Sequence, residues 1–203
     1  MVSSAFLFTQ CKKDDTSPAN ATVNYSPLTV GSNWTYNFTE NASAADTYTL
    51  TVTANDTTIN GKKYNVLSTS DGSGNRYMAK IDSNYYRFAS FADIGSFEEL
   101  YLKDNLEVNG VWTNVVSINF QGFPVPLNLT YTVKEKGISH SVNANAYSDV
   151  IHIRLDATAL GSNIGGGDFY YAKDIGLIDN DISLSYLGQS YTSKEQLTAH
   201  QIK

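Results

Sequence analysis

The sequence predicts an all-β fold: a single curved antiparallel sheet, an open half-barrel or barrel, of about ten to twelve strands with few or no helices. Three observations predict it. The 203 residues include 14 Tyr, and 12% are aromatic against 17% charged; aromatic and β-branched side chains suit a pleated surface. Apolar and polar residues alternate with period two in one segment after another, and such alternation buries one face of a strand and wets the other. Asn-Gly, Asp-Gly and related pairs separate those segments, supplying the positive φ that tight hairpins require.

The elements follow in chain order. Residues 12–26 are rich in Lys, Asp, Ser, Pro, Asn and Thr and read as a flexible tether. The first strand carries Trp34, Tyr36 and Phe38 in phase, and the next Tyr48, Leu50 and Val52. Asn60-Gly61, Asp71-Gly72-Ser73-Gly74-Asn75, Asp82-Ser83-Asn84 and Asn109-Gly110 read as turns, and so do Gly137, Gly165-Gly166-Gly167 and Asp179-Asn180-Asp181. Leu127, Leu129, Tyr131 and Val133 alternate with polar residues, as do Ile151, Ile153 and Leu155, and Ile182, Leu184 and Tyr186. Ser193 and Gln196 could form a helix-capping box, but Gln196 to Ile202 reads better as a final strand. Leu28-Thr29-Val30-Gly31-Ser32-Asn33-Trp34-Thr35 is repeated as Leu106-Glu107-Val108-Asn109-Gly110-Val111-Trp112-Thr113. The repeat is either two similar strand entries or a trace of a duplicated half-domain.

The net charge of −6 argues against a nucleic-acid partner, which needs a basic face, and against electrostatic docking on anionic lipid. No segment has the ~20 apolar residues that a membrane-spanning helix needs. The single cysteine, Cys11, excludes an intramolecular disulfide. It follows an apolar run ending Ala5-Phe6-Leu7-Phe8 and precedes Lys12-Lys13-Asp14-Asp15. That transition predicts residues 1–10 as a signal-peptide remnant, 11–26 as a lipid-anchored tether and 27–203 as one β domain.

At these residues the chain resembles lipoproteins of the Bacteroidetes type, in which an apolar run precedes the lipid-bearing cysteine. The resemblance implies lipid attachment at Cys11 and an outer-membrane address. It also implies that Lys13, Asp14 and Asp15 act as a surface-export signal; the alternative is a charged tether. Leu28-x-Val30-Gly31-x-x-Trp34-Thr35-Tyr36 and Tyr171-Ala172-Lys173-Asp174-Ile175-Gly176-Leu177-Ile178 resemble features of uncharacterised secreted β-rich lipoproteins. Some of these are distantly similar to half-barrel lipoprotein carriers. The helices that line and lid those carriers have no counterpart here, so the resemblance implies a curved sheet and leaves the activity open.

Catalytic signatures are missing from the sequence. His140, His152 and His200 lack metal-ligand spacing. A turn at Ala144-Asn145 would set His140 opposite Asp149, as an acid–base pair or a surface cross-strand pair. Glu98 and Glu99 are strand neighbours and face opposite ways. No G-x-S-x-G elbow occurs, Gly165-Gly166-Gly167 lacks a following Lys-Ser/Thr, and Asp71, Ser73 and Asn75 lack the closing Glu of a calcium loop. No catalytic residue, metal site or cofactor is assigned. In Tyr85-Tyr86 and Tyr170-Tyr171 successive rings face opposite ways. Tyr86 is in phase with Phe88 and Tyr171 with Phe169, so Tyr85 and Tyr170 are expected to point outward as ligand contacts. The sequence thus points to a non-catalytic binding or adhesion module at the cell surface, with a glycan or protein ligand and a membrane partner through Cys11. The alternatives are a carrier of an apolar ligand or lipoprotein in a curved-sheet cavity and, third, a hydrolase without a visible motif.

Overall fold

The computed structural model describes residues 23–91, 95–120 and 122–203. Cys11, Lys13, Asp14 and Asp15 lie outside the described residues. Twelve strands run in sequence: β1 Asn33–Glu40, β2 Asp46–Ile59, β3 Lys62–Thr69, β4 Asn75–Ile81, β5 Asn84–Phe91, β6 Gly95–Lys103, β7 Val111–Phe120, β8 Phe123–Val142, β9 Asn145–Ala159, β10 Ser162–Ala172, β11 Gly176–Tyr186 and β12 Gln189–Gln201. No helix occurs among the described residues. All pairings are antiparallel, and the twelve form one sheet in the order β6-β5-β4-β3-β2-β1-β12-β11-β10-β9-β8-β7. Its two ends, β6 and β7, come back into contact, so the sheet curls into a nearly closed barrel. At that seam side chains replace ladder bonds. Trp112 Nε1 donates to the Leu100 carbonyl (2.8 Å) and Asn114 Nδ2 to the Glu98 carbonyl (3.1 Å), so edge acceptors of β6 are satisfied without a neighbouring strand.

The sheet consists of two six-stranded meanders, and the repeated Leu-x-Val…Trp-Thr segment opens each one. The geometry repeats with the sequence. Ser32 N donates to Thr29 O as Gly110 N donates to Glu107 O. Gly31 N and Ser32 O bond both sides of Val52, and Asn109 N and Gly110 O do the same to Val133. Gly31 and Asn109 take φ of +87° and +69°, a conformation that Gly and Asn tolerate best. Trp34 and Trp112 are both buried, and each indole N–H is satisfied by a backbone carbonyl, Ile175 for Trp34 at 2.6 Å and Leu100 for Trp112.

Several turn expectations need correction. Gly165, Gly166 and Gly167 lie inside β10. A Cβ at Gly166 would stand 1.9 Å from the Leu155 carbonyl and one at Gly165 2.1 Å from that of Ser183. The glycines are there because neighbouring strands crowd the bend. Gly137 lies within β8, where the register shifts, and Asp179-Asn180-Asp181 lies within β11. The hairpins near Gly165 and Asp179 instead turn at Leu160-Gly161 and Lys173-Asp174-Ile175. Tyr25 and Ser26, read as tether, are buried: Tyr25 N takes a bond to the Tyr85 hydroxyl (3.1 Å) and Asn24 O accepts from Asp174 N. This segment crosses the end of the barrel where β1 begins.

Candidate functional site

Inward-facing residues leave a cavity of about 560 Å³ inside the barrel. Trp34, Tyr36 and Phe38 enter from β1, Tyr48 and Leu50 from β2, Phe97 and Tyr101 from β6, Phe169 and Tyr171 from β10. The rings pack on one another, with Tyr36–Tyr48 centroids 5.6 Å apart and Tyr101–Tyr171 5.7 Å apart. Period-two alternation in a barrel puts every second residue inside, so the aromatic phase of each strand becomes the lining. Tyr25, Ser26, Trp34 and Gly176 are buried and close the end where β1 begins. Exposed Glu40, Asp71, Ser73 and Tyr191 line the opposite end, which is the mouth.

Two polar groups stand among these rings. Arg87 grips the buried Glu99 with two bonds, Nε–Oε2 at 2.5 Å and Nη2–Oε1 at 3.0 Å, and the Tyr131 hydroxyl donates to the same carboxylate. Burial alone would lower the Arg87 pKa, but the Glu99 charge outweighs it and holds the guanidinium charged. The second group is Glu195, whose one hydrogen bond comes from Asn180 Nδ2 at 2.8 Å. Its carboxyl has no ion-pair partner among the described residues, and burial pushes its pKa up to about 7. Arg76 also lines the cavity; burial lowers its pKa, with Arg87 adding to that. The lining thus combines apolar area, one neutralised ion pair and one unpaired acid. It can hold an amphipathic molecule, and nothing in it forms a nucleophile–base pair.

Glu98 and Glu99 do face opposite ways. Glu98 takes Lys62 Nζ at 2.6 Å and the Tyr64 hydroxyl, whereas Glu99 serves the interior. Tyr85 does not point outward. It is fully buried, bonding Asp104 through its hydroxyl at 2.6 Å and packing against Tyr101 at 6.3 Å. The inward phase of β5 is Tyr85, Arg87 and Ala89. An arginine marks this face as solvent in any sequence reading, and only the Glu99 partner, twelve residues on, makes its burial tolerable. Tyr170 does point outward, but both faces of its ring are occupied. His140 stacks on one at 3.8 Å and His152 on the other at 4.4 Å. His140 Nε2 pairs with Asp179 (3.1 Å); His152 pairs with Glu135 (3.0 Å) and Asp168 (2.8 Å). Asp149 is not the partner of His140, because the hairpin turns at Asn143-Ala144 and sets His140 opposite Tyr147. The result is a self-contained stack with no ring face left for a sugar.

Sequence reasoning missed Glu195 and the Arg87–Glu99 pair. Their only sequence signal is a charged residue in phase with apolar neighbours, as Glu195 is with Leu197 and Glu99 with Tyr101.

No protein-family profile matches the chain, nor does any curated protein sequence. Among solved structures, a protein assigned as a lipoprotein from Parabacteroides distasonis aligns with a TM-score of 0.52 at 13% identity, covering 88% of this chain and 99% of that one. A protein assigned as exported, with a YmcC-like fold, from Bacteroides fragilis aligns with a TM-score of 0.49 at 14% identity, covering 85% and 98%. The first likeness shows a shared fold.

Proposed function

We propose that this chain is an exported, non-catalytic binding protein that holds an apolar or amphipathic small molecule in its barrel. In this reading a lipid on Cys11 holds it at the outer membrane, and Lys13-Asp14-Asp15 directs it to the cell surface. The single observation that carries the binding reading is the aromatic-lined cavity of about 560 Å³, within the ~300–1,000 Å³ of ordinary ligand sites. An interior without a ligand would more economically be filled with side chains, as small barrels usually are. The outer surface supports the adhesion reading less well, since Tyr85 is buried and Tyr170 is covered on both faces. The names of the two structural neighbours, a lipoprotein and an exported protein, agree with an envelope location.

The test is titration with N-phenyl-1-naphthylamine, an uncharged fluorescent probe, in the Cys11→Ser chain. Trp34 lines the cavity, so energy transfer from Trp to bound probe is expected. Ala89→Phe, which adds a ring to the lining, should abolish that signal while the protein stays folded by circular dichroism. Undiminished binding in the folded Ala89→Phe protein would rule the cavity out as the site. For the anchor, mass spectrometry of protein extracted from cells should show a lipid-bearing Cys11 that the Cys11→Ser protein lacks.

A further inference from the structure

One side of the barrel mouth differs in chemistry from the rest of the rim more than folding requires. Strands alternate in direction, so the β7–β8, β9–β10 and β11–β12 turns lie together at the mouth end. All three tips are apolar and exposed: Phe123 is 72% exposed, Leu160 69% and Leu187 71%. Leu160 and Leu187 occupy the first position of two-residue turns with φ of +49°, each followed by a glycine at about +80°. The hairpin at the other end, Asn60-Gly61, has the same geometry, with φ of +51° and +77°. There the residue is the expected asparagine, because a left-handed φ strains a leucine and suits Asn. Two leucines therefore stand where backbone strain and solvent exposure both disfavour them. Neither turn chemistry nor core packing accounts for that choice.

Charge sets these three hairpins apart from the rest of the mouth, where Glu40, Asp46, Asp71 and Arg76 stand. Residues 108–133, 157–167 and 182–193, which include the three tipped hairpin ends, contain no charged residue. The opposite end carries Lys62, Lys63, Lys80, Asp82, Lys103, Asp104, Lys173 and Asp174 at its turns. The register staggers neighbouring tips. Phe123 stands four residues beyond the Leu127–Ala159 pair while Leu160 stands one beyond. Tyr186 and Tyr191 lie just behind the Leu187 tip, where interfacial tyrosines sit on membrane proteins.

We propose that this uncharged, apolar-tipped side of the mouth docks on the surface of a lipid bilayer with net-neutral headgroups, inserting Phe123, Leu160 and Leu187 at the acyl boundary. A bilayer is favoured over a protein partner by three separate exposed apolar tips on neighbouring hairpins that carry no charge of their own. Charged groups are costly at that depth, whereas a protein interface keeps a polar, hydrogen-bonding rim. The lack of basic residues on the three hairpins selects neutral over anionic lipid. The eleven residues between Cys11 and Val23 span at most about 40 Å, and Val23 lies at the charged end, where its carbonyl takes Lys80 Nζ at 2.9 Å. A lipid on Cys11 would thus keep a bilayer within reach of the mouth end. The inference stands whether or not the cavity holds a ligand.

The test uses the full chain with Cys11→Ser, so that no lipid is attached, and flotation with phosphatidylcholine/phosphatidylethanolamine vesicles. The parent should float, and 1 M salt should not release it. The triple variant Phe123→Ser/Leu160→Asn/Leu187→Asn keeps the apolar leader and should bind at least tenfold more weakly. Its thermal midpoint should not fall, because both asparagines relieve the turn. Asn60→Leu, which builds the same Leu-Gly turn at the charged end, should leave binding unchanged. Equal flotation of parent and triple variant would overturn the proposal, as would no flotation of the parent. A parent dimer that the triple variant abolishes, without vesicle binding, would also overturn it and make the tips a self-association surface.

Discussion

Replacing Glu195 by Gln should stabilise the protein above neutral pH and change little under acid conditions. The carboxyl sits in the cavity with one amide partner, and burial pushes its pKa from the ordinary 4.5 to about 7. Because the folded pKa lies above the unfolded one, the folded state binds more protons between those two values. Stability contributed by this group is therefore fully present below about pH 4.5 and is lost as the pH rises through about 7. At about 1.4 kcal/mol for each pKa unit, the full shift corresponds to roughly 3 kcal/mol, and water in the cavity reduces that to about 2 kcal/mol. Urea unfolding of parent and Glu195→Gln at pH 5 and pH 8 isolates the effect, since every other titrating group cancels in the comparison. The variant should be about 2 kcal/mol more stable than the parent at pH 8 and within about 1 kcal/mol of it at pH 5. Identical pH slopes would refute the reasoning. So would a variant less stable at pH 8, which would mean that the carboxylate is ionised and paired.

Arg87→Met strands the buried Glu99 charge and should cost about 3–5 kcal/mol in urea unfolding, while Arg87→Met with Glu99→Leu should recover much of that loss. Gly166→Ala forces a Cβ to within 1.9 Å of the Leu155 carbonyl and should prevent soluble expression of a folded barrel. Gly161→Ala, with nothing near its Cβ and only a φ of +81° to strain it, should cost about 1 kcal/mol in thermal unfolding. Trp112→Phe removes the indole donor to the Leu100 carbonyl and should cost about 1–3 kcal/mol, with hydrogen exchange in β6 accelerating more than in β3.

The Asn-Gly and Asp-Gly turns, the alternating strands, the strand ending in Gln201 and the opposite facing of Glu98 and Glu99 were all legible in the sequence. Each depends on local backbone preference or on the two-residue pleat, which neighbouring residues decide by themselves. The repeated Leu-x-Val…Trp-Thr segment also announced its equivalent turns, because Gly31 and Asn109 suit the same φ. What a strand faces is another matter. β5 has aromatic rings on both sides, and no local rule chooses between Tyr85 with Arg87 and Tyr86 with Phe88. The choice was made by Glu99 on the adjacent strand, which neutralises Arg87 inside the barrel. Glycines read as a turn proved to mark a bend inside β10, because only the approach of β9 and β11 reveals that no side chain fits there. The stack of His140, Tyr170 and His152 joins three strands, and the cavity joins rings from both meanders. Closure of the sheet at β6 and β7 sets these distances across the barrel. The sequence by itself therefore determined that the chain makes a one-sided, turn-punctuated sheet. Only the tertiary structure decided which side is inside, because burial is a property of the closed surface and not of any one strand.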